Sequence, residues 1–145
     1  MMMPITVTQI ESFLREVDSY FPVPLSCKQD LHDFSLKLHQ KATLCYELEG
    51  GEIEAMVAGY TEELVGNVAY ISVVATRKSS QGRGLASKLI KEFISVCKEK
   101  GICAVHLYTD KSNVAARKMY EKIGFSNRIL QDEPRPDDIH LIYYI

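Results

Sequence analysis

A β-branched run, Ile71 to Val74 with Thr76, passes through polar residues into Gly82 and Gly84 and then directly into a helical pattern. That succession of strand, glycine turn and helix N-terminus constrains the chain more than any other feature. Glycines at such a turn let the backbone approach a ligand closely, and the first helical turn carries N–H groups that lack intrahelical partners. With the helix dipole behind them, those donors suit a phosphate. A strand-to-helix turn that merely needs glycine is the competing reading. Two phosphate motifs fail here. A Walker A loop needs Gly-Lys and then Ser or Thr, whereas Gly84 is followed by Leu85 and Ala86; the dinucleotide fingerprint needs a third glycine where Ser87 stands.

The remaining chain bounds the class. At 145 residues it reads as a single domain spanning 1–145, long enough to bury about two-thirds of its unfolded surface without disulfides or metal. A net charge of −2 with no block of like charge argues against a nucleic-acid partner. No apolar run is long enough to cross a bilayer, and Met1 to Thr6 lack the basic and apolar regions of a signal peptide, so a cytoplasmic protein without a membrane partner is expected. Cys27, Cys45, Cys97 and Cys103 show no Cys-x-x-Cys spacing and read as free thiols, with Cys97 and Cys103 as small core residues. His32 and His39 share a helix face without a third ligand, which favours a solvated pair over a metal site.

In order, Val7, Ile10, Phe13, Leu14 and Val17 predict a helix over Thr6 to Tyr20, ended by Pro22 and Pro24. A second helix is expected from Ser26 or Lys28 to Lys41. Thr43 to Glu49 and Ile53 to Thr61 read as strands joined by Gly50-Gly51, and a third follows Gly66-Asn67, giving a meander. Glu52 and Glu54 alternate with Ile53, Ala55 and Val57, which reads as a solvated face. The helix after Gly84 ends at Gly101, Ile102 to Thr109 is a strand reached by a parallel crossover, and Ser112 or Asn113 caps a helix that stops at Gly124. Phe125 to Leu130 and Ile139 to Ile145 are the last strands, a hairpin closing one end of the sheet, joined by an acidic loop from Gln131 to Asp138.

Two segments carry a resemblance. Gln81-x-x-Gly84-x-Ala86 lies on the turn, and Asn113-x-x-Ala116 with Tyr120-Glu121-Lys122-x-Gly124-Phe125 lies further along. Together, in this order, they resemble the GNAT N-acetyltransferase superfamily. The resemblance implies an α/β (α+β) fold whose mostly antiparallel mixed sheet has a central parallel strand pair that splays, with acetyl-CoA as co-substrate in the gap and no metal. It departs from the family in its first strand, which with only Met1 to Ile5 before the first helix is very short or absent.

By the same resemblance, the diphosphate rests on amides of Gly82, Arg83, Gly84, Leu85, Ala86 and Ser87 after Gln81, with the Arg83 side chain as a charged donor and Arg77 and Lys78 within reach. Val74 supplies an N–H to the thioester carbonyl, Thr76 pairs with pantetheine, Asn113 bonds the cofactor arm or caps its helix, and Tyr120 is the general acid. Some members carry a base glutamate where Tyr70 stands, and no Asp or Glu occurs from Asn67 to Thr76; Tyr70, Ser72, His106 or water remain for that role. The acceptor is then a primary amine of a small molecule or peptide, selected by the Tyr20 to Lys28 loop and the Gln131 to Asp138 loop, where Asp132, Glu133, Asp137 and Asp138 could attract a cation. A non-catalytic acyl-CoA sensor or assembly module is the rival reading, and a homodimer stays open.

Overall fold

The structure, a computed structural model, describes residues 4–128 and 137–145. Helix α1 (Val7–Val17) begins where Thr6 offers a cap: its Oγ1 accepts the Gln9 N–H at 3.1 Å while its own N–H donates to Gln9 Oε1 at 2.8 Å. Ile10, Phe13, Leu14 and Val17 fall on one stripe and are all buried. The helix tightens into a 3₁₀ turn at Asp18–Tyr20, crosses the two prolines, and makes a second 3₁₀ turn at Leu25–Cys27. Helix α2 (Leu31–Lys41) starts later than Ser26 or Lys28, because Asp30 is the residue whose side chain caps it, accepting the Asp33 N–H at 2.9 Å.

Strands β1 (Thr43–Glu49), β2 (Glu52–Tyr60) and β3 (Val68–Thr76) form the meander, α3 (Leu85–Glu99) crosses to β4 (Ala104–Asp110), and α4 (Val114–Ile123) leads to β5 (Ser126–Asn127) and β6 (Asp138–Tyr144). The sheet order is β1-β2-β3-β4-β6-β5, with β3–β4 as its parallel pair. The last hairpin therefore inserts β6 against β4 and leaves β5 outermost. Phe125 is buried among core residues ahead of β5, and residues 129–130 of the expected strand, with 131–136 of the acidic loop, lie outside the described residues. Among the described residues no strand precedes α1; Ile5 is buried with the α1 stripe instead.

Each face of the sheet has its own core. One joins Phe93, Leu89 and Ile90 of α3 and Tyr120 of α4 to Val57, Ile71 and Leu107; the other joins α1 and α2 to Ile53, Met56, Ala58 and Val73. A strand alternates faces every residue, yet β2 presents Ile53 and Met56 to one core and Ala55 and Val57 to the other. The pairing explains the flip: Glu47 faces Ala55 and Leu48 faces Ile53, so Glu54 is a bulge residue opposed by nothing. A second bulge sits in β3, where Ala58 faces Val73 and Gly59 faces Ile71, leaving Ser72 unopposed. Ala69 and Ile71 pack toward α3 before it, Val74 after it.

Candidate active site

Strands β3 and β4 are bonded only at Val68↔Ala104, Ala69↔Val105 and Tyr70↔His106. Past Tyr70, β3 continues along β2 and β4 along β6, and the two separate. Separation leaves the facing edges of both strands without a strand partner, a costly state for buried amides unless something else takes the bonds. A cleft of about 1140 Å³ occupies the opening. It runs through the sheet: Leu85, Ala116 and Tyr120 line it from the α3–α4 side, and Phe21, Leu25 and Phe34 from the α1–α2 side.

Of the residues expected at the site, Val74, Thr76, Gln81, Gly82, Gly84, Leu85, Ala86, Ser87, Asn113 and Tyr120 all line this cleft. Gly84 is the N-cap of α3 with φ +73°, which glycine adopts without strain, and it offers no side-chain cap. The first intrahelical bond runs from Lys88 N–H to Gly84 O at 3.0 Å. The N–H groups of Leu85, Ala86 and Ser87 thus have no partner among the described residues, whereas α1, α2 and α4 are each capped by a side chain. Free amides at a dipole's positive end, opening on a cleft, fit a diphosphate.

Arg83 departs from expectation. It does not line the cleft; its Nη2 lies 3.6 Å from Glu54 Oε1. Glu54 itself is no solvated residue. The bulge turns it inward, 5 % exposed, and its Oε2 accepts a hydrogen bond from Ser80 Oγ at 3.1 Å. Arg77 is likewise engaged, by Glu49 at 3.0 Å and Glu52 at 3.2 Å, while Lys78 stays exposed.

Tyr120 is 6 % exposed, edge-on to Phe125 with ring centroids 5.7 Å apart. No described residue bonds its hydroxyl, yet that oxygen is not sealed off, so it opens on the cleft. Burial pushes the phenol pKa well above its ordinary 10. Of the two candidate caps, Asn113 serves α4, its Oδ1 accepting the Ala116 N–H at 3.3 Å, while Ser112 is bonded to Asp110. The Asn113 amide nitrogen takes no part in the cap.

Tyr70 and Ser72 line the cleft; His106 does not. It lies behind Tyr70, with ring centroids 5.1 Å apart, and its Nδ1 shares a proton with Nε2 of buried His140 across 2.9 Å. Phe34 and Tyr108 also line the cleft, unanticipated because each sits on an otherwise ordinary helix or strand pattern. Of the two expected acceptor loops, Phe21, Pro22, Val23, Leu25 and Lys28 of the first and Asp138 of the second line the cleft, as does Asp110. Asp132 and Glu133 lie outside the described residues.

His32 is paired with Glu11 at 2.5 Å, and His39 Nε2 lies 3.2 Å from Ile5 O. Cys97 is buried as expected, but Cys103 is exposed, its Sγ donating to Asn67 O at 3.2 Å where the chain enters β4. No helix among the described residues is long and apolar enough to cross a membrane.

A family model described as "Acetyltransferase (GNAT) family" matches residues 10–125. A mycothiol acetyltransferase of Streptosporangium roseum is 38% identical over 68 residues, 47% of this chain and 19% of that protein. N-alpha-acetyltransferase 30 of Schizosaccharomyces pombe is 38% identical over 56 residues, 39% of this chain and 37% of that protein. The chain thus spans well under half the length of these curated relatives. Among solved structures, Ard1 from Thermoplasma volcanium superposes with a TM-score of 0.77 at 18% identity, covering 99% of this chain and 95% of that one. The PaiA N-acetyltransferase of Thermoplasma acidophilum in complex with coenzyme A gives 0.76 at 12% identity, covering 99% and 97%.

Proposed function

Because the chain belongs to the GNAT acetyltransferase family, matched across residues 10–125, we propose that it transfers the acetyl group of acetyl-CoA to a primary amine of a small molecule or peptide, by direct attack with both bound. The observation that carries this reading is the parting of β3 from β4 after Tyr70, with uncapped amides at one end of the opening and Tyr120 beside it. Acetyl-CoA supplies the acyl group already activated as a thioester. The amides of Leu85 to Ser87 hold the diphosphate, and the open edge of β3, with Thr76, takes the bonds of the pantetheine amides.

The Val74 N–H stabilises the negative charge that builds on the acyl oxygen, a contribution on the order of 3 kcal/mol where single donors of this kind have been removed. Tyr120 holds a proton for the leaving sulfur. Its burial favours the neutral phenol, the form that can donate. On the other side of the sheet, Tyr70 and Ser72 pass the amine's proton to water, since no carboxylate stands on β3.

The acceptor half of the cleft is bordered by Phe21, Leu25, Phe34, Tyr70 and Tyr108, with Asp110 and Asp138 lining it too and Lys28 close to Asp110. Largely apolar walls with two carboxylates among them favour an amine borne on an apolar body, such as a peptide N-terminus. Relatives named for N-alpha-acetylation fit that class, as mycothiol acetyltransferase fits the small-molecule one. Free-thiol release from acetyl-CoA, measured over a panel of peptide N-termini, amino sugars and polyamines, tests the proposal. Amine-dependent release is expected. Calorimetric binding of CoA with no release for any amine would replace the enzyme by a sensor or assembly module.

A further inference from the structure

A carboxylate beneath a diphosphate site is a liability by simple electrostatics, and burying one costs several kcal/mol unless its partners are well placed. Glu54 is both buried and beside the turn. Its position follows from the β2 bulge: without the extra residue it would alternate with Ile53 on a regular strand, and with it the side chain reaches under the turn that precedes α3. Three contacts converge there. Glu54 O accepts the Arg77 N–H at 2.9 Å, Oε2 accepts the Ser80 hydroxyl at 3.1 Å, and Oε1 lies 3.6 Å from Arg83. Ser80 is 1 % exposed and its oxygen also accepts from Arg77 Nε at 3.3 Å.

Beyond these and the turn's own backbone bonds, the side-chain ties of the segment lie in water. Lys78 N–H to Tyr20 hydroxyl, Arg77 to Glu52 and Gln81 Nε2 to Thr76 O are all exposed bonds, which solvent readily replaces. The Glu54–Ser80 bond is shielded and charge-assisted, and breaking it strands a buried hydroxyl or a buried charge.

We propose that Glu54 is a positioning residue for the cofactor diphosphate: acting through Ser80, it fixes the segment from Arg77 to Arg83 so that the first amides of α3 face the cleft. This rests on the acetyl-CoA reading above. The Arg83 guanidinium lies 3.6 Å from Glu54 and is about half exposed, so the positioning role concerns the backbone amides and not that side chain.

The test is CoA affinity by calorimetry for the wild type, Glu54→Gln, Ser80→Ala and the double variant, with melting temperatures alongside. Removing a negative charge and freeing Arg83 should tighten CoA binding if only Coulomb attraction matters. Positioning predicts the opposite sign, a loss of about tenfold in either single variant. The double variant should lose no more than the weaker-binding single, since Glu54→Gln strips the charge from the link that Ser80→Ala removes. Glu52→Gln, which alters an exposed pair on Arg77, should stay within about twofold. Unchanged or tighter binding in Glu54→Gln, a lowered melting temperature with unchanged affinity, or additive losses would each overturn the proposal. If Glu54→Gln does not fold, Ser80→Ala decides by the same criterion. A wild type that fails to bind CoA would remove the underlying reading and this one with it; binding by the wild type with no loss in the variants removes only the positioning role.

Discussion

Replacing Tyr120 by Phe isolates one proton. The hydroxyl has no bond to any described residue, while the ring is packed at 6 % exposure against Phe125. Deleting the oxygen therefore strands no partner and leaves the packing intact, so stability should hold to within about 1 kcal/mol, a shift of about 3 °C in melting temperature for a chain of this size. The cofactor amides are on α3 and are untouched, so CoA affinity should hold within about twofold. Turnover should not. A positioned general acid is worth roughly 10²–10⁴ in rate, about 3–5 kcal/mol of barrier. Stopped thiol-release assays at saturating acetyl-CoA would measure kcat, with calorimetry for affinity.

The pH profile supplies a second check. Because burial raises the phenol above its ordinary 10, Tyr120 keeps its proton at every lower pH and contributes no alkaline limb to kcat in that range. A variant with wild-type kcat would refute the assignment. An alkaline fall below pH 10 in the wild type that vanishes in Tyr120→Phe would keep Tyr120 as the acid and overturn instead the upward shift of its pKa.

Three further outcomes follow from the geometry. Gly59→Ala would place a Cβ 2.5 Å from the Phe93 ring and 2.6 Å from Tyr70 O, so about 1–3 kcal/mol of destabilisation is expected on chemical denaturation, and none would show that β2 can shift away from α3. Burial pushes the Cys45 and Cys97 thiols up to about 12 and about 11, whereas Cys27 and Cys103 are exposed; a thiol reagent at pH 8 should modify the two exposed cysteines rapidly and all four only after denaturation. The hydrogen bond that His32 Nδ1 donates to Glu11 raises the His32 pKa above 6.5, and His32 in turn lowers Glu11, so the contact between α1 and α2 is fully formed between the two values and is lost as pH rises through that of His32 or falls through that of Glu11. NMR titration should give His32 a pKa above 6.5 that falls back toward that value in Glu11→Gln; an unmoved value would place the proton's partner elsewhere.

What was legible in the sequence was local. The α1 stripe of Ile10, Phe13, Leu14 and Val17 repeats at helical spacing, and Thr6, Asn113 and Gly84 act on groups within a few residues of themselves. The two motif segments are contiguous, and they bring their residues to the cleft because each rides on one helix end. Glu54 and Cys103 differ from expectation for a common reason: their environment is set by strand register and by elements distant in the chain. Alternation about Glu54 is regular in the sequence, and only the pairing of Leu48 with Ile53 reveals that the regularity breaks. Phe34 follows an ordinary helix pattern, and nothing along α2 distinguishes a residue that faces the sheet from one that also borders the opening through it.

Both irregularities of the sheet lie on β2 and β3, the pair that must carry β3 once β4 has left it. The bulge at Ser72 comes two residues after Tyr70, the last position bonded to β4. It reverses the faces of β3 there, so that Val74 packs toward α3 while Tyr70 lies with the aromatic rings on the opposite side. A regular strand would set Tyr70 and Val74 on the same face. The bulge thus separates the residue expected to meet the acyl group from the one expected to meet the amine. The bulge at Glu54 works on the same strand pair from beneath, setting a carboxylate under the turn that β3 feeds. Antiparallel pairing from β2 then fixes one edge of β3 while its other edge, which β4 has left, stays open, which is what a bound amide chain requires if it is to take the place of a missing strand.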